Sequence, residues 1–248
     1  MLYERLRTIL TEIAAEHDLL DESIVIESSV LTPDEAIGNP GRQDFPLQKG
    51  QEALIQAAFM DSKGQAYTDA PSRFRGNLQD IIALDLSTHR ETALFIATLN
   101  AVARYVHPDL RTIHCRDNGP ERCAKRIAEY VQALGPQSLG MIGLQPAILE
   151  ALVAAMGKDH VRCIDRDEEN RGRVKNGVTI EWGDADGLKR LFEESDLIFA
   201  TGSSAANGSL ADILALADIT GKPVYFYGTT IAATARLLGL DHLCYESQ

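Results

Sequence analysis

Apolar residues recur every three or four positions at the start of the chain. That spacing predicts a helix over 2–16 with Leu2, Leu6, Ile9, Leu10 and Ile13 on one face. The β-branched segment Ser23 to Leu31, ending at Thr32-Pro33, predicts a strand leading into a turn. After the polar Gly38-Asn39-Pro40-Gly41, the run Glu52 to Met60 fits a strand or a short apolar helix, since so short a run carries no decisive period. Asp61-Ser62-Lys63-Gly64 has turn composition, and Gln65 to Thr68 would be its hairpin partner. The helical period returns from Thr88 to Tyr105, with Leu94, Phe95, Leu99 and Val102 inward and Thr88 and Glu91 spaced as a capping box. Another helix, 120–134, opens on Pro120 and stops at Gly135-Pro136, where proline and glycine suit a helix start and end. Residues 1–134 thus read as an α+β domain and 135–248 as a second domain.

In the second domain short apolar strands alternate with amphipathic helices. Strands are expected at Leu139–Leu144, Val161–Ile164, Leu197–Ala200, Val224–Tyr227 and near Leu243. Helices are expected at Pro146–Met156, 185–194, about 209–217 and 231–238. Such an order needs crossover connections, so the prediction is a Rossmann-like, mainly parallel sheet with helices on both faces. The charged run Asp165 to Lys175 reads as a solvated loop.

Composition narrows the function classes. No stretch of 18 apolar residues could cross a bilayer, and the mixed-charge start is unlike a secretion signal, so a cytoplasmic protein without a membrane partner is expected. With 24 basic against 36 acidic residues the chain carries −12, which repels nucleic acid unless a local basic groove intervenes. Cys115, Cys123, Cys163 and Cys244 form no CxxC pair and read as thiols of a reducing compartment. Oligomeric state is open, a homo-oligomer included.

The segment richest in candidate chemistry is Thr201-Gly202-Ser203-Ser204-Ala205-Ala206-Asn207-Gly208-Ser209, between a strand and a helix. Ligands of open α/β sheets bind outside the carboxyl ends of strands, and small residues let backbone N–H groups approach an anion. Ser209 with Asp212 also has the spacing of a helix cap. Gly228-Thr229-Thr230 repeats the arrangement one strand later, again with simple capping as the plainer reading. Gly140-Met141-Ile142-Gly143 and Pro146 stand where a dinucleotide fingerprint would lie, with Asp165 placed for a ribose hydroxyl, but the glycine spacing departs from GxGxxG. His114, Cys115 and Cys123 are candidate ligands for a transition metal, although Cys-x7-Cys is no compact zinc knuckle. His89, His107, His160 and His242 read as satisfied or surface histidines. Lys49 and Asp69 could face a cleft between the domains, but a surface lysine and a turn aspartate are the stronger reading. Asn100 lies among apolar neighbours on its helix, so its amide either pins a loop or reaches a ligand. There is no GxSxG, HExxH or P-loop.

The stretch Asp196 to Leu210, with Gly221-Lys222-Pro223-Val224 and Gly228-Thr229-Thr230, resembles the C-terminal domain of the putative heavy-metal chelation family. Ala97-Thr98-Leu99-Asn100-Ala101 resembles the Ala-x-x-Asn-Ala helix of the domain preceding it there. The resemblance implies an N-terminal domain like the capping domain of enolases, a Rossmann-like domain after it, and a site between them. It implies contacts from Asn100, Thr201, Gly202, Ser203 and Asn207, beside which Gly228 and Thr229 are placed, with Ser204 and Thr230 adjacent. The chain departs from the family pattern in an insertion around residues 38–80, and it offers no acidic triad for an enolase-like magnesium site. Three functions follow. One is a small-ligand protein of metal-chelate or cofactor metabolism, holding an anionic or metal-complexed molecule in the cleft, with catalysis undecided. The second is a transferase or oxidoreductase using a nucleotide or S-adenosyl cofactor at Gly140–Gly143. The third is a noncatalytic heavy-metal-binding module.

Overall fold

In the computed structural model, residues 2–27, 36–42, 44–49 and 52–248 are described. Helix α1 is Leu2–Glu16, as its period requires, and β1 is Ser23–Glu27. The rest of the strand expected through Leu31, with the Thr32-Pro33 turn, lies outside the described residues, as does the Lys49 side chain. The ambiguous run resolves as β2 (Ala53–Phe59), hairpin-paired with β3 (Ser62–Thr68). The turn falls at Met60-Asp61 rather than 61–64, so Ser62, Lys63 and Gly64 belong to the strand. With β4 (Phe74–Asn77) they form an antiparallel sheet in the order β3-β2-β1-β4. The segment that looked like an insertion therefore supplies three of the four strands of this sheet.

Asn77 caps the short α2 (Leu78–Ile82) with a full capping box, which the sequence pattern did not announce. Helix α3 (His89–Val106) lies across β2 and β3. It begins at the expected Thr88, but Thr88 bonds the Glu91 side chain and makes no side-chain bond to the helix backbone. Glycine 64 sets the approach: a Cβ there would lie 2.2 Å from Ala101 N and 2.4 Å from Ala97 O, so only a residue without one lets β3 lie this close. Helix α4 (Gly119–Leu134) stops on Gly135 in the left-handed region, φ 68°.

Beyond Gly135 come β5 (Leu139–Ile142), α5 (Pro146–Met156), β6 (Val161–Asp165), β7 (Val174–Lys175), β8 (Val178–Trp182), α6 (Ala185–Glu194), β9 (Leu197–Thr201), α7 (Leu210–Thr220), β10 (Val224–Tyr227), α8 (Ala232–Leu238) and β11 (Asp241–His242). The sheet order is β11-β10-β9-β5-β6-β8-β7, parallel throughout except for β7 on β8. The chain works outward from β5 to β6 and β8, then returns to β9, β10 and β11 on the other side. That reversal leaves a crevice at the carboxyl ends of β5 and β9, the place where doubly wound sheets bind ligands. The end of the charged run 165–175 is not loop: Val174 and Lys175 form β7 and turn through Asn176-Gly177 (φ 52° and 81°) into β8.

Two cores occupy the two faces of the parallel sheet. On one, Leu188, Leu191 and Phe192 of α6 and Ile213 of α7 share a continuous core with Leu6, Leu10, Phe59 and Phe95 of the antiparallel lobe. On the other, Ile127 and Val131 of α4 pack with Ile148, Leu149 and Leu152 of α5 over Met141 and Phe199. Gly135-Pro136 thus ends a helix without ending its packing. Among the described residues no helix is long and apolar enough to cross a membrane.

Candidate functional site

The exits of β5, β6, β9 and β10 border one cavity of about 590 Å³, within the range of small-molecule sites. Its other side is built by Glu52, Tyr67, Thr68 and Asp69 from the antiparallel lobe, and by His114, Cys115 and Cys123. Apolar side chains such as Phe45, Leu47, Ile142, Leu144 and Ile164 line much of the interior.

At the β5 exit Gly143 takes φ 84° and lies against Thr201, where a Cβ would fall 2.7 Å from Thr201 Cγ2; its carbonyl accepts the Tyr227 hydroxyl at 2.8 Å. Gly140 is turned away from the cavity, against Leu191, Ser195 and Ile198. Asp165, at the end of β6, accepts Leu144 N–H at 2.6 Å, Asp167 N–H at 2.8 Å and Asn170 Nδ2 at 3.2 Å. Gln145 caps the Ile148 N–H of α5. Gly140, Gly143 and Asp165 therefore do not assemble the expected dinucleotide site. The first glycine is packing, the helix entry is already capped, and the carboxylate ties two strand exits together.

The loop after β9 reaches the cavity through Thr201, Gly202, Ser203, Asn207 and Ser209, and the turn after β10 through Gly228 and Thr230. Gly202 is held close to the neighbouring strand, with a Cβ site 2.8 Å from Tyr227 O. In the loop after β9, several of the amides expected to be free are engaged within the protein. Ser203 N–H bonds Thr201 Oγ1, Ala206 N–H and Asn207 N–H bond Ser203 O, and Ser209 N–H bonds Asn207 Oδ1. The Gly208 N–H is aimed at the Tyr3 hydroxyl. The Ser209 hydroxyl goes to Asn207 Oδ1 rather than capping α7, and the Ser204 hydroxyl donates to Thr201 O. A loop that folds into its own 3-10 turn spends its donors internally.

Asn100, Thr229 and Ser204 lie outside the cavity wall. Fully buried Asn100 donates through Nδ2 to Gln65 O (2.8 Å), Thr230 O (3.0 Å) and Thr229 O (3.2 Å), and accepts Ala233 N–H at 2.8 Å. It thereby caps α8, whose own N-cap residue Ile231 offers no side-chain acceptor. Thr230 Oγ1 accepts Tyr67 N–H at 3.0 Å across the same junction. These residues join the lobes.

His114 and the two cysteines do line the cavity, but they do not make a metal centre. Among the described residues no three His, Cys, Asp or Glu side chains are grouped to hold an ion. Burial pushes the Cys115 thiol up to about 12. Cys123 is drawn down to about 7 by a hydrogen bond from Cys244 and by the N–H groups of Tyr245 and Glu246, so its donors come from the chain itself. Burial pushes His114 down to about 4; its Nδ1 faces the Cys115 carbonyl, which can only accept, so the ring is neutral with its lone pair on Nε2. Of the other histidines, His89 is engaged with Asp69, His160 with Gln137 O and His242 with Gly228 O.

Sequence reasoning passed over Glu52, Asp167 and Glu168. Burial, then Asp165, Asp69 and Asp167 in turn, push the Glu52 carboxyl up to about 7. It has no hydrogen-bond or ion-pair partner among the described residues. A single acid ahead of an apolar strand carries no motif, and the acids of 165–169 were masked by their resemblance to a solvated run.

Residues 127–243 match the family model described as putative heavy-metal chelation, DUF364. No curated protein matches the chain. Two solved structures of DUF364 proteins of unknown function are similar to it. One, from Pyrococcus horikoshii, is 17% identical with a TM-score of 0.56, covering 93% of this chain and 80% of that one. The other, from Desulfitobacterium hafniense DCB-2, is 14% identical with a TM-score of 0.50, covering 75% and 73%. At such identity the likeness shows the fold, a mixed α/β molecule with a mainly parallel sheet. The matched stretch, residues 127–243, runs from the second half of α4 to the β11 edge of that sheet, and over it the chain is similar to the putative heavy-metal chelation family.

Proposed function

We propose that the protein binds a small organic ligand in the cleft between its two lobes. One observation carries this reading: four parallel strand exits and the end of β3 converge on a single cavity of about 590 Å³. The antiparallel lobe would act as its cover, the part that the resemblance to enolase capping domains implies for it. Ser203, Asn207 Nδ2, the Tyr67 phenol and the lone pair of His114 are among the neutral polar groups available to orient a ligand. The absence of a grouped donor set among the described residues favours a molecule over a bare metal ion.

A second reading is proton-transfer chemistry on that ligand. It rests on Glu52, whose carboxyl near 7 could give up or take a proton at neutral pH in a partly enclosed site. Binding is tested by a thermal-shift screen of a central-metabolite panel against the wild type and Ser203→Trp, which fills the cleft. Hits should raise the wild-type Tm, by the equivalent of about 2.7 kcal/mol at a hundred times Kd, and leave the variant unmoved. Hits that shift both proteins alike would reject the cleft.

A further inference from the structure

We propose that the cleft selects an organic cation, an apolar body bearing an ammonium or guanidinium group, with the positive charge set against Glu52. This deepens the cleft reading and rests on it. Six carboxylates stand in the wall, those of Glu52, Asp69, Asp165, Asp167, Glu168 and Glu169. Asp69 is paired with His89 and Glu169 has a contact of its own, and the one guanidinium in the same wall among the described residues is that of Arg166, which is exposed. Glu52 is the member that points to a ligand. Its small remaining surface opens on the cavity, the rest is enclosed by protein, and no described side chain or amide answers it.

The neighbours of Glu52 make the imbalance worse. Asp69, at the exit of β3, and Asp165 and Asp167, after β6, all oppose its ionisation, and Tyr67 beside it is a neutral phenol. His114 is neutral as well. Like charges gathered in a poorly solvated space repel more strongly than in water, and a cation placed among them relieves the repulsion and gains the attraction of several acids at once. An anion would meet that field with fewer amides to offset it, because the loop after β9 turns the N–H groups of Ser203, Ala206, Asn207 and Ser209 inward. A bare metal ion finds no three grouped ligands among the described residues. An organic cation needs only the field, one opposed carboxylate and an apolar wall, which Phe45, Leu47, Ile142 and Leu144 provide.

Three probes sharing one body and differing in charge test this: phenethylamine, phenethyl alcohol and hydrocinnamate, titrated calorimetrically at about pH 8, where Glu52 is ionised. Phenethylamine should bind at least about tenfold more tightly than the alcohol, and hydrocinnamate more weakly than either. Glu52→Gln should erase that preference while Glu52→Asp keeps part of it, so a folding defect is separated from a lost charge. Equal or tighter binding of the alcohol or the carboxylate overturns the proposal, as does a preference unchanged in Glu52→Gln, or an amine that fails to bind at about 10 mM. Ser203→Trp then divides the failures. If alcohol or carboxylate binding disappears in that variant, the cleft stands and the cation falls; if it persists, both fall.

Discussion

Asn100 uses both ends of one amide to hold two lobes, and the cost of removing it follows from what it leaves behind. In Asn100→Ala the Ala233 N–H and the carbonyls of Gln65, Thr229 and Thr230 would be buried without their partner. The loss should be about 2–4 kcal/mol, read as a lower urea midpoint. Asn100→Asp keeps the acceptor for Ala233 but sets a carboxylate oxygen against the three carbonyls, so it should cost at least as much as Asn100→Ala. A buried amide among apolar neighbours announces in sequence that it must be satisfied, and so much was legible. Its partners at Thr229, Thr230 and Ala233 lie 129, 130 and 133 positions away, and no local pattern reaches that far. The same limit applies at Ser209 and Thr88. Each was correctly placed at a helix start, yet each hydroxyl found a better partner than the helix backbone, in Asn207 and Glu91. Glu52 is the extreme case, since its character comes wholly from acids that the fold brings to it.

At the scale of elements, the contact of β3 with α3 depends on Gly64 lying against Ala97 and Ala101. Gly64→Ala would place a methyl carbon 2.2 Å from a backbone nitrogen, so sheet and helix must separate. A destabilisation of about 3 kcal/mol is expected in chemical denaturation, and a neutral result would mean that the sheet and α3 can slide apart freely. The helices were largely legible because each carries its own period: 2–16, 146–156 and 185–194 run as the apolar spacing requires. Gly64 was read as a turn residue because Asp-Ser-Lys-Gly has turn composition, whereas pairing of β2 with β3 moves the turn to Met60-Asp61. The β7–β8 hairpin was missed for a related reason. Its Asn-Gly turn, a strong hairpin signal, sits at the end of a charged run whose polarity outweighed it.

At the scale of the molecule, the two lobes are joined by neutral hydrogen bonds at Asn100 and Thr230 and set against each other by charge across the cleft. Glu52 belongs to the antiparallel lobe and Asp165 and Asp167 to the parallel sheet, so ionising Glu52 works against their closure. Its carboxyl ordinarily titrates at 4.5 and in the folded protein at about 7. Because the folded value is raised, the neutral carboxyl contributes stability that is fully present below 4.5 and is lost as pH climbs through 7. The shift corresponds to about 3 kcal/mol. Measured without ligand, the stability of Glu52→Gln minus that of the wild type should therefore grow by about that amount between roughly pH 4 and pH 8, with most of the rise above the ordinary carboxylate range. The difference between the two proteins removes the other titrating groups, which are common to both. A difference flat across that range would mean that Glu52 is solvated and ionised in the folded protein, and the repulsion that makes the cleft receptive to a cation would be gone with it.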